Sequence, residues 1–221
     1  MENPDTSLYS EKLWEEAQGQ CTFMRSSQAA VTFSVVCSFS AICSFLIIYI
    51  ILKSPTKLAS IYNRIIFGMS VCQIITTVPR SFTTLAMPAP GDYWTDIANV
   101  QGTRLGNTFT CTAQGFFTRF GDISAWAYFS VSLSFYYACA IGFGMTIETM
   151  QKYFEPLMHI TPILLGLYGA LPALLDGGYN VGHEIPVCTV APKPWFCKDH
   201  NSTVACVRGG WGHQVQNNFF A

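Results

Sequence analysis

Charge is what this sequence has least of. Only 11% of its residues are Asp, Glu, Lys or Arg, against roughly a quarter in an ordinary soluble domain. The shortage is uneven. From Ser26 to Leu52 no residue is charged, a gap longer than the about 20 residues a helix needs to cross a bilayer core. The net charge of -1 leaves no basic field for a nucleic-acid partner. Catalytic signatures are missing too: there is no His-Glu-x-x-His, no Gly-x-Ser-x-Gly and no P-loop. Gly142-Phe143-Gly144 lacks the third glycine and the preceding strand of a dinucleotide fingerprint. His159, His183, His200 and His213 are scattered, and His159 reads as an interfacial residue. The even spacing of Cys188, Cys197 and Cys206 lacks the close Cys-x-x-Cys pairs of zinc sites. No enzyme activity, metal or cofactor is expected.

What is present is apolar. Hydrophobic residues make up 50% of the chain and gather over 29–52, 61–87, 111–141 and 157–175. The expected fold is an all-α integral membrane protein, a four-helix transmembrane bundle over 29–175, flanked by polar regions at 1–28 and 176–221. The first residues are acidic and contain no apolar h-region, so the first span is expected to act as its own insertion signal. Glu2, Asp5, Glu11, Glu15 and Glu16 outnumber Lys12 and Arg25 before it, whereas Lys53, Lys57 and Arg64 follow it. The positive-inside bias then places the N-terminus outside, and an even number of crossings returns 176–221 to the same side.

Small residues mark where helices approach one another. Ser34, Cys37, Ser38, Ala41 and Ser44 form one stripe, and Gly166, Gly169, Ala170 and Ala173 another. Over 145–155, Glu148 and Lys152 are spaced to pair along a helix. Three charges fall at membrane depth: Arg80 in the second span, Arg119 and Asp122 in the third. Arg119 and Asp122 share a helix face, about 12 and 16 Å along the axis from Cys111, and Arg80 lies about 10 Å from Met87. The three are expected to meet, either as the floor of a ligand pocket or as a structural ion cluster.

The cysteines sort by compartment. Cys37, Cys43, Cys72 and Cys139 lie in spans, and Cys21, Cys111, Cys188, Cys197 and Cys206 lie on the expected outer, oxidising side. Asn201-Ser202-Thr203, a glycosylation sequon, falls on that side as well. Five cysteines cannot all pair with one another.

The order of motifs is NRIIFGMSVCQIITT, TTLAMP, GNTFTCTAQGFF, SLSFYYACAIGFGM, YFEPLMHITP, VCTVAPKPWFC and CVRGG. It resembles the seven-helix receptors of single-celled eukaryotes grouped with cyclic-AMP receptors and the secretin-like class of G-protein-coupled receptors. The likeness runs from the first span to the loop after the fourth, so the chain is expected to be the N-terminal part of such a receptor. The resemblance implies that Cys111 is tied to a cysteine of the second extracellular loop, with Cys188 the expected partner. Cys197 and Cys206 would then close a small loop around Asn201, leaving Cys21 over. It also implies a plasma-membrane (or endomembrane) location, an extracellular ligand of unknown identity and a heterotrimeric G protein as partner. Gly142 and Gly144 stand where such receptors place basic residues, so coupling by these four helices alone is not expected. The other reading is a four-span scaffold or adhesion protein, or a decoy or dimerising receptor fragment; the small-residue stripes would invite such self-association.

Overall fold

The computed structural model describes residues 27–89, 103–181 and 185–191. Helix α1 (Ser27–Lys53) is followed by a 3-10 turn (Lys57–Ala59) and helix α2 (Ile61–Ser81). Helix α3 (Thr108–Ala127) runs on through a π-helical stretch (Tyr128–Leu133), a single α turn, α4 (Ser134–Tyr137), and a second π-helical stretch (Ala138–Gly142). After a short turn come α5 (Ile147–Thr149), π-helical Met150–Phe154 and the long α6 (Glu155–Leu175). A two-stranded antiparallel ribbon, β1 (Tyr179–Val181) with β2 (Cys188–Val190), completes the described chain, with Val181 opposite Cys188.

Among the described residues three helices are long and apolar enough to cross a membrane: Gln28–Lys53, Ile61–Ser81 and Ile147–Leu175. The helix over 108–142 is not among them. Gln114, Arg119, Asp122 and a series of serines and tyrosines dilute its hydropathy, although at 1.5 Å per residue it is about 50 Å long. The second span is also shorter than the expected 61–87. Pro79 removes a donor from the end of α2, and beyond Phe82 the chain tightens into a 3-10 turn (Thr83–Ala86).

The packing is inside out relative to a soluble bundle. Along α1 the buried residues include Ala29, Ala30, Cys37, Ala41 and Ser44, while Phe39 and Ile50 are 68% and 64% exposed. Small residues turn to the neighbouring helix and large apolar ones turn away, the arrangement expected where the solvent is lipid. Ser34 belongs to this contact, donating a 2.6 Å hydrogen bond to the Ser81 carbonyl. Ser38 does not; it is exposed. Helix α1 packs on α2, α2 on α3, and α3 on α6, which leaves the most polar helix at the centre. Two glycines permit that position. A Cβ at Gly121 would collide with Thr76 and the Cys72 carbonyl of α2, and one at Gly166 with Ser124 and Phe120 of α3. The expected Glu148–Lys152 pair is not formed: winding Met150–Phe154 as π-helix changes the spacing, and Lys152 lies over the Tyr153 ring instead.

Candidate functional site

At one end of the bundle, the head of α3 is held from three sides. Asn107 caps the helix, its side chain accepting from the Thr110 N–H while Thr110 Oγ1 accepts from the Asn107 N–H, a reciprocal capping box. Cys111 and Cys188 form a disulfide that joins α3 to β2, with Cα atoms 5.4 Å apart. Met87, Cys111 and Cys188 form a buried apolar cluster around it. Next to the disulfide, buried Gln114 makes three hydrogen bonds. Its Nε2 donates to the carbonyls of Pro79 (2.9 Å) and Thr83 (3.0 Å), and its Oε1 accepts from the Cys188 N–H (2.9 Å). One amide thus joins the end of α2, the head of α3 and the ribbon. Tyr179 of β1 lies against Gly115, and its hydroxyl donates to the Ala170 carbonyl at 2.8 Å. Burial pushes this phenol well above its ordinary range, the positive charge of Arg119 pulling the other way.

The three charges expected to meet share one neighbourhood. Arg80 Nη2 donates to Asp122 Oδ2 across the α2–α3 interface. Arg119, on the same face of α3 as Asp122, interacts electrostatically with both Asp122 and Tyr179. The pair is not sealed: the Asp122 side chain is 39% exposed. It lies on a cleft of about 530 Å³ between α1 and α3 over the surface of α2, where Ser40, Ser44, Ser70 and Gln73 also face. The carboxylate therefore borders a lateral opening between helices.

The opposite end carries a second polar network. Arg64 of α2 bonds Glu155 of α6 with both Nε and Nη2, the latter at 2.7 Å, and Nη1 donates to the carbonyls of Leu58 and Ala59. His159 lies one turn on, its Nε2 3.7 Å from Glu155, and its Nδ1 is 3.3 Å from the Tyr128 hydroxyl. Ser132 donates to the Met158 carbonyl. The sequence marked Arg64 as one of the cations that follow the first span and His159 as an interfacial residue, and gave no sign that they belong to one network. The spacing of Glu155 and His159, one turn apart on a helix, was the only local signal. Gln114 had none.

Cys21, Cys197, Cys206 and Asn201, and with them the expected Cys197–Cys206 bridge and glycan, lie outside the described residues. Among the described residues no group of three or more His, Cys, Asp or Glu is placed to hold a metal ion. No family model, curated protein or solved structure matches the chain.

Proposed function

We propose that the chain forms the first four transmembrane helices of a signalling receptor of the seven-helix kind it resembles, with the disulfide end facing out of the cell. The observation that supports this most is the Cys111–Cys188 link, which ties the head of the central helix to the segment after α6. A disulfide belongs in an oxidising compartment, and Lys53, Lys57 and Arg64 lie near the opposite end, as the positive-inside bias requires. On this reading the helix over 108–142 crosses the bilayer as well, its polar residues tolerated because α2 and α6 flank it.

The Arg80–Asp122 pair, with Arg119 beside it, is the ligand-responsive element. A charge at membrane depth costs roughly 2.5–3.5 kcal/mol or more, so an exposed carboxylate there is retained for a use. The G protein would approach the opposite end, where Gly142 and Gly144 offer it no cation, and these four helices are not expected to couple unaided. The test is Asp122→Asn in the source cells. Stimulus-evoked second-messenger change should be lost while the protein still reaches the surface with its disulfide formed. An unchanged response removes the assignment.

A further inference from the structure

Three tyrosines meet where α2 begins and the helix over 108–142 nears its end. The ring centroids of Tyr62 and Tyr136 are 6.2 Å apart, those of Tyr62 and Tyr137 6.4 Å, and those of Tyr136 and Tyr137 5.5 Å. Their planes are inclined by 47°, 61° and 67° in the same order, so the rings stand as the walls of a corner and not as a stack. Tyr62 and Tyr137 are 39% and 45% exposed. Among the described residues none of the three hydroxyls makes a hydrogen bond. Tyr136 and Tyr137 lie on α4, the single α turn between two π-helical stretches, a winding frequent at functional sites. No residue from Ile123 to Ile147 is charged, and the cation–ring contacts between described residues fall at Tyr49 and Tyr153 instead. The corner thus has no cation of the chain's own.

Its depth is that of lipid headgroups. Tyr137 follows Cys111 by 26 residues, about 39 Å at 1.5 Å per residue, close to the about 40–45 Å from one headgroup layer to the other. Tyr62 is the second residue of α2, just past the loop that holds Lys57. We propose that the three tyrosines bind the choline headgroup of phosphatidylcholine in the leaflet beside that loop. A quaternary ammonium donates no hydrogen bond and binds where several ring faces replace part of its water. The free hydroxyls can donate to the phosphate that adjoins it. An anionic headgroup would meet the negative faces of the rings, and the primary ammonium of phosphatidylethanolamine gains more from hydrogen bonds than from ring faces. Tyrosines that only belong to an interfacial belt would not tell these headgroups apart. The inference rests on the reading that α2 and the helix over 108–142 lie in a bilayer, and not on signalling.

The whole chain is reconstituted in vesicles of phosphatidylcholine, phosphatidylethanolamine and phosphatidylglycerol with identical acyl chains. It is then extracted in mild detergent, and the lipids it retains are counted by mass spectrometry. Phosphatidylcholine should be enriched about fivefold over phosphatidylethanolamine relative to the starting bilayer. Tyr62→Leu or Tyr137→Leu should lower the enrichment, and the double variant should abolish it. Tyr62→Phe, which keeps the ring and removes the hydroxyl, should retain most of it. Intact Cys111–Cys188 in each variant shows that the chain has folded. Retention in bilayer proportions, preference for phosphatidylglycerol, enrichment that survives the double variant, or its loss in Tyr62→Phe would each overturn the proposal. Loss of stimulus response in Asp122→Asn bears on the receptor reading alone, so the two can fail separately.

Discussion

Helix α2 carries an arginine near each end, and the two are used differently. Arg64 meets Glu155 through two nitrogens and gives its third to backbone carbonyls, and Glu155 is only 14% exposed. Arg80 meets Asp122 through one nitrogen, and Asp122 is 39% exposed. The first pair is closed on itself and joins α2 to α6. The second joins α2 to α3 but leaves a carboxylate on an open cleft. Where a charged pair is saturated, its role is to fix helix positions. A half-satisfied pair at membrane depth has capacity left over for something else.

The comparison can be broken by mutation. The largest effect is expected for Glu155→Ala, which strands Arg64 and should cost about 3–5 kcal/mol, read as lost thermal stability in micelles. Replacing both partners, Arg64→Met with Glu155→Leu, should recover most of it. Next comes Gln114→Leu, which orphans the Cys188 N–H and two carbonyl groups and should cost about 2–3 kcal/mol. Its signature is a slower, less complete Cys111–Cys188 disulfide. Asp122→Asn should cost less, about 1–2 kcal/mol, because a single hydrogen bond joins it to Arg80 and an amide oxygen still accepts that bond. If Asp122→Asn unfolded the protein as Glu155→Ala does, the distinction between the two pairs would be wrong. Smallest of all is Phe39→Ala on the outward face of α1, expected within about 0.5 kcal/mol; a large loss there would mean that this face is packed against protein.

How much of this could be read in advance follows the range of each interaction. Helix α1 was legible because a charge-free run and a small-residue stripe are local patterns, and only Ser38 departs from the stripe. Arg119 and Asp122 share a helix face, so their neighbourhood with Arg80 could be anticipated by counting residues from the ends of two spans. The Gln114 clamp joins residues 31 to 74 positions apart, and Arg64 and Glu155 are 91 apart; no local period reports such contacts. The π-helical winding of Met150–Phe154, which breaks the expected Glu148–Lys152 pairing, likewise leaves no mark in residue spacing. The helix over 108–142 is the opposite case. Its sequence promised a span, but its polar residues, useful at the centre of a bundle, keep its hydropathy below that of the other three.

Cysteine labelling tests directly whether that helix crosses the bilayer. Leu105 and Phe143 bracket it, both well exposed, and each can be replaced by cysteine and treated with a membrane-impermeant maleimide. If the helix crosses with the disulfide end outward, Leu105→Cys labels on intact cells and Phe143→Cys only after permeabilisation. Labelling of both positions from the same side would contradict the four-helix arrangement and the receptor reading with it.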